Sequence, residues 1–385
     1  MPSPPLPTLL VIPTGIGCTL GGYAGDGLPA ARLLAAASGC LVTHPNVMNA
    51  ASLYWSDRRI HYVEGWALDR FAAGELALAP RPSQRVGVLL DAGIEPELRL
   101  RHRQVIDACR ASLGLPIGPV LESEEPLQVT LQLGESGSSW GTIARPDVLL
   151  RTGERLVQAG ATAIAVVARF PDESGSAALA AYRAGSGVDA LAGAEAVISH
   201  LLVRHLGIPC AHAPALQPLA PDPDLDPRAA AEELGYTFLP CVLVGLSRAP
   251  DLRPRSALGD WSESGLLRPD AVGAVVAPSG ALGGGAVLAC AQRGVPVIAV
   301  CNPCLLTVTG PSLGLSVLEA SSYGEAAGLL LALREGISPD ALVRPLPQRS
   351  EARRVRLGDT DRPAGSTAPG TAAPAAAGGP GHGER

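Results

Sequence analysis

Residues 9–53 read LLVIPTGIGCTLGGYAGDGLPAARLLAAASGCLVTHPNVMNAASL. Leu9–Ile12 is a short apolar run with β-branched members, closed by Pro13, which suits a buried parallel strand better than a helix. Glycines begin where that run ends, and a loop so poor in Cβ atoms lets backbone N–H groups come close to a ligand. Pro29 fits the first turn of a helix over Leu28–Ala37 whose amides point back into the loop. A second strand, Cys40–Thr43, ends at His44, Asn46 and Asn49. Strand, glycine loop and helix N-terminus together predict an anion cradle built from Thr14, Gly15, Gly17, Gly21 and Gly22 with Asn46 beside it, against the plainer reading of a tight connection. The spacing is neither a P-loop nor a dinucleotide fingerprint, and no acidic residue closes the second strand.

Outward from this unit the chain alternates strands with helices. Arg85–Leu90, Gln128–Leu133, Ala163–Ala168, Ile208–Ala211, Cys241–Val244, Ala274–Ala277 and Val295–Val300 read as strands; Glu97–Leu113, Pro146–Ala159, the stretch ending at His200, Gly285–Arg293 and Gly324–Glu335 read as helices. Residues 115–127 look like a crossing between domains, and Ala215–Arg228 like a Pro/Asp-rich linker. PSGALGGGAVLACAQRG, residues 278–294, repeats the opening device, so Ser279, Gly280, Gly283 and Gly284 form a second expected cradle. The expected fold is α/β, two Rossmann-like lobes with mainly parallel sheets and an inter-lobe cleft. The expected boundaries are 8–115, 116–345 and a disordered Pro/Ala/Gly-rich tail over 346–385.

The chain has 385 residues, 47% hydrophobic and 17% charged, with net charge −6. That balance speaks against a nucleic-acid partner. Every one of the 30 basic residues is arginine, which excludes Schiff-base chemistry on lysine and the P-loop lysine. Eight cysteines without a leader-like start, and no long uninterrupted apolar run, lead to the expectation of reduced thiols, a cytoplasmic location and no membrane. A homo-oligomer is compatible with all of this.

The chemistry-bearing candidates follow. Tyr54, Trp55, Tyr62, Trp66 and Phe71 crowd His61, Glu64, Asp69 and Arg70 in a chain only 3% aromatic, either as local core or as a pocket wall that perturbs their pKa values. Arg169 at a strand end is either an anion clamp or a structural partner of Asp172. Glu195 and His200 lie five apart and so do not share a helical face. Cys301–Cys304 is a CxxC without the further ligands a zinc site needs, and no metal site is expected.

PTGIG with GGYAGDG, THPNVMNA, YVEGWALDRFA, WGTI followed by PD, AIAVVARFPD, GAEAVISH and APSGALGG together resemble a cyanobacterial and plastid family known only as a domain of unknown function, over roughly residues 8–340. The resemblance implies that Gly15, Gly17, Asp26, His44, Asn46, Glu64, Asp69, Arg70, Trp140, Arg169, Asp172, Glu195 and His200 are positions of interest; the two cysteines of CNPC fall outside its pattern. A looser likeness links residues 277–300 to the donor-binding βαβ unit of two-lobed nucleotide-sugar glycosyltransferases. The expected function is an enzyme holding a small phosphorylated or carboxylated metabolite, with group transfer first because two cradles suit two substrates or a diphosphate. His44, Asp26 and Glu64 are the expected proton carriers, and Arg70 and Arg169 the neutralising cations. An isomerase, racemase or lyase on a small acid is the alternative, with Cys18 and Cys301 its acid/base pair if they face each other. A metabolite-sensing protein is a third reading. No cofactor is identifiable.

Overall fold

The structure, a computed structural model, describes residues 3–23, 25–49, 57–233, 238–257 and 265–346. The first stretch runs β1 (Thr8–Leu10), α1 (Leu28–Ser38), β2 (Leu41–Thr43), α2 (Pro45–Met48), β3 (Ile60–Tyr62), α3 (Gly65–Ala72), β4 (Leu76–Ala79), β5 (Val86–Leu90), α4 (Pro96–Leu113) and β6 (Ile117–Glu122). A hairpin of β7 (Val129–Leu133) and β8 (Ser139–Ile143) leads to α5 (Pro146–Gln158), β9 (Ala163–Arg169), α6 (Ala177–Arg183), α7 (Ala192–Leu206) and β10 (Cys210–Ala215). The chain closes with α8 (Pro227–Glu233), α9 (Leu239–Ser247), β11 (Asp251–Pro254), β12 (Ala274–Pro278), α10 (Gly285–Gln292), β13 (Val297–Val300), α11 (Gly310–Leu313), β14 (Leu318–Ala320) and α12 (Tyr323–Arg334).

The α/β expectation holds. Six parallel strands form one sheet in the order β14-β13-β12-β1-β2-β3, and four more form a second in the order β10-β9-β5-β6. Both central runs are apolar on both faces, as parallel strands covered by helices must be: Leu9, Leu10, Val275, Val276, Val88, Leu89 and Val166 are all fully buried. Pro29 starts α1, and Gly39 at φ 81° ends it in a left-handed turn that a Cβ would disfavour.

The six-stranded sheet is assembled from the two ends of the chain. β1–β3 come first in sequence, the chain then leaves to build the other sheet, and it returns at β12 to pair beside β1, Thr8 opposite Ala274. Residues through Leu342 form one compact unit that holds a cavity, and the expected inter-lobe cleft is not shown. The 115/116 boundary falls between β5 and β6, which are paired neighbours. The crossing expected over 115–127 contains β6.

One element changes type. Cys241–Val244 reads as a strand but lies in α9, every residue of which except Pro240 is buried. A helix covered on all sides shows no polar face, so periodicity cannot separate it from a buried strand. Tyr54, Trp55 and residues 347–385 of the expected tail lie outside the described residues.

Candidate functional site

Counted from β3, the large sheet runs 3-2-1 and then continues outward through β12, β13 and β14, so the direction of winding reverses between β1 and β12. Crevices at such reversals, beyond the carboxyl ends of the strands, are where open α/β sheets bind ligands. A cavity of about 220 Å³ lies there. Val11, Pro13 and Thr14 follow β1, His44 and Asn46 follow β2, Glu64 follows β3, and Gly284 and Gly285 are the N-cap and first residue of α10; α7 and His212 of β10 close the far side.

His44 is 8% exposed, and its Nε2 accepts the backbone N–H of Ile12 at 3.1 Å. An acceptor nitrogen carries no proton, so the neutral ring holds its proton on Nδ1. Burial, then the nearby charge of His200, lowers the His44 pKa to about 4. Asn46 ties the strand ends together, donating to Ile12 O and Gly21 O and accepting from the Thr14 hydroxyl.

Glu64 caps α3, its Oε2 accepting the amides of Trp66 at 2.8 Å and Ala67 at 3.4 Å. Its other oxygen lies 3.0 Å from His200 Nε2. Burial alone would lower the pKa of His200, but the Glu64 hydrogen bond and charge, with the charge of Asp69, outweigh it and hold His200 above its ordinary value. Asp69 projects from α3 to the start of α10, where the Ala286 amide donates to it; burial raises its pKa. The N-terminus of α10 is therefore met by a carboxylate of the chain itself.

Ala192, Glu195, Ala196, Ser199 and His200 all line the cavity, at spacings i, i+3, i+4, i+7 and i+8, the pattern of one helical stripe. Glu195 and His200 sit on its two edges. The five-residue spacing speaks only against the two acting as a pair, and each meets a different partner while both line the cavity. His212 joins the Glu195 edge, its Nε2 3.5 Å from Glu195 Oε2 and its Nδ1 2.6 Å from Ser199 Oγ. Sequence reasoning missed Ser199 and gave His212 no role, because the helix-to-strand contact that joins them is long-range. Two imidazole–carboxylate pairs, Glu64–His200 and Glu195–His212, thus face one space with neutral His44 between strand ends.

The other expected site residues lie elsewhere. The amides of Gly21 and Tyr23 turn inward onto Asp26, whose carboxyl is raised to about 6 by burial, against those amides and Arg228; the Leu20 amide is taken by Asn302. Gly15 packs on Ser139 and Gly17 on Gly187, and neither they nor Gly22 line the cavity. Ser279, Gly280 and Gly283 are used in the same way, with Gly280 against Leu306 O and Val308 bonded to Gly280 O. Asp26 takes amides of the first expected cradle, and Asp69 takes the Ala286 amide at the start of α10, beside the second, while Thr14, Asn46 and Gly284 line the cavity. Arg70 pairs with Glu75 and lies over the Trp66 ring at 5.6 Å. Arg169 is held by Glu95 and Asp172, the structural alternative, away from the cavity. Cys18 is buried with its thiol pushed up to about 12 by that burial and the neighbouring Cys304, and neither it nor Cys301 lines the cavity, so they are not its acid/base pair.

A family model described as "Protein of unknown function (DUF3326)" matches residues 7–343. The chain belongs to this family. An uncharacterized lipoprotein of Synechococcus sp. is 56% identical over 338 residues, 88% of this chain and 93% of the relative. No solved structure matches. The expected cyanobacterial family of unknown function is thus the right one, and the glycosyltransferase likeness finds no support. The cytoplasmic expectation is corrected by the same relative, since a lipoprotein is held at a membrane by its lipid. No helix among the described residues is long and apolar enough to cross a membrane.

Proposed function

We propose that this protein is an enzyme that moves protons on a small carbonyl-bearing metabolite, an isomerase or lyase by class. The observation that carries the reading is His44. Its Nε2 is committed to the Ile12 amide, so a neutral imidazole offers Nδ1–H beside two imidazole–carboxylate pairs. A neutral imidazole with a depressed pKa is suited to polarise a carbonyl oxygen without surrendering its proton. One edge of the α7 stripe then removes a proton from the carbon next to that carbonyl. His44 Nδ1–H supports the negative charge that develops on oxygen, and the other edge returns a proton to a neighbouring atom. Ser199 fixes the His212 ring. Group transfer rested on two anion cradles and is favoured less here, because Asp26 takes amides of the first and Asp69 takes the Ala286 amide beside the second.

The test is solvent exchange. Full-length protein incubated in D2O with pools of aldehydes, ketones and 2-oxo acids is expected to introduce deuterium next to a carbonyl, read by mass spectrometry. H200Q and E195Q should slow that exchange by about 10²-fold or more, the usual worth of a positioned acid or base. Exchange in no carbonyl pool, or exchange untouched by both variants, would overturn the reading.

A further inference from the structure

We infer that the ligand of this cavity carries a positively charged amine together with its carbonyl oxygen, and that phosphorylated and other strongly anionic metabolites are excluded. This deepens the proton-transfer reading and rests on it. Four carboxylates line the space, Glu64, Asp69, Asp189 and Glu195, against three imidazoles. Among the described residues no arginine lines it, and the chain contains no lysine. Sites built for phosphate or carboxylate use guanidinium forks, open helix N-termini or lysine. Here the imidazole of His200 is already matched by Glu64 at 3.0 Å, and the α10 N-terminus is already met by Asp69. A second negative group would enter beside four carboxylates, against like charge. An ammonium would instead find Asp69 on the wall that faces α7.

A separate observation asks for a ligand at all. His44 is more than nine-tenths buried, and its Nδ1–H has no partner among the described residues although the ring lines the cavity. That donor opens onto the cavity, where a ligand oxygen can accept from it in place of water. An oxygen acceptor at His44 and a cation toward Asp69 together describe an amino ketone, an amino aldehyde or an amino acid derivative.

Three ketones of one skeleton separate the charge classes: aminoacetone, hydroxyacetone and dihydroxyacetone phosphate. Saturation-transfer NMR on the full chain is expected to rank aminoacetone first and dihydroxyacetone phosphate last. D69N keeps a side-chain oxygen for the Ala286 amide, and its unfolding midpoint verifies folding. It should weaken aminoacetone about fivefold and leave hydroxyacetone unchanged, as one charge pair near a protein surface predicts. Binding led by dihydroxyacetone phosphate, equal binding of the amine and the alcohol, or silence from all three would overturn the inference. So would zinc or magnesium ions that perturb the His200 resonances where aminoacetone does not. Deuterium exchange on neutral ketones with no amine preference would sink the charge assignment and leave the proton-transfer reading standing. Amine preference without exchange would do the reverse.

Discussion

His44 and His200 line the same cavity yet are pushed in opposite directions from the ordinary histidine pKa, one down by burial and the charge of His200, the other up by Glu64 and Asp69. NMR of the imidazole nitrogens is expected to show His44 as the Nδ1–H tautomer, titrating near pH 4, and His200 titrating above the ordinary histidine value of 6.5. Linkage gives the signs. His44 is depressed in the folded protein, so its stabilising contribution is present above pH 6.5 and is lost as the pH falls toward 4, by up to about 3 kcal/mol. His61, also lowered to about 4 by burial, acts in the same direction. Asp26, raised to about 6, opposes them by losing stability as the pH rises from 3.8. His200 contributes stability at acid pH that is lost as the pH rises through its folded value. H61N should therefore show a shallower loss of denaturant midpoint between pH 6.5 and 4 than the parent. A parallel loss in both would contradict the burial argument. Glu64 was legible as a residue of interest from its aromatic neighbourhood. Its partnership with His200 was not, because 136 positions separate the two, and no local pattern reports a contact of that range.

At the scale of elements, close approaches of backbone set the cavity walls. A Cβ on Gly193 would stand 2.3 Å from Trp140 Cα and 2.4 Å from Ser139 O, so α7 lies directly on the strand β8. Neither obstacle is the end of a flexible side chain. G193A is expected to lose about 1–3 kcal/mol, or more if β8 cannot shift, measured by urea unfolding. On Gly285 the same atom would come 2.7 Å from Asp69 Oδ2. G285A should push Asp69 off the Ala286 amide, with a loss of about 1 kcal/mol as for a missing helix cap. A rise in the Tm of G285A would show that Asp69 is no cap. The opening strand, glycine loop, helix and second strand were readable because each has a sharp local signal: an apolar run, Pro29 in the first helical turn, Gly39 after the last. Cys241–Val244 was not, since α9 is buried around nearly its whole circumference and presents no stripe to read.

At the scale of the molecule, the two sheets interlock through the order of the chain. β1 finds its inner partner in β12, and β5 lies between β6 and β9. Residues 8–115 expressed alone would expose the β12-facing edge of β1 and both edges of β5. That fragment is expected to show no cooperative unfolding transition, whereas the full chain should give coincident transitions by far-ultraviolet dichroism and tryptophan fluorescence. A stable fragment with its own transition would restore an independent N-terminal lobe. Parallel α/β architecture could be inferred from alternating elements, but nothing local in the sequence marks which distant strand completes a sheet.

The pairing of Thr8 with Ala274 also sets a clock for biosynthesis. Their numbers differ by 266 (274 − 8), so at about 5–20 residues per second a ribosome needs roughly 13–53 s to deliver the second partner after the first. Throughout that interval Leu9 and Leu10 lack their β12 neighbours, and the edge of β1 they present is open to wrong pairing until the closing strands arrive.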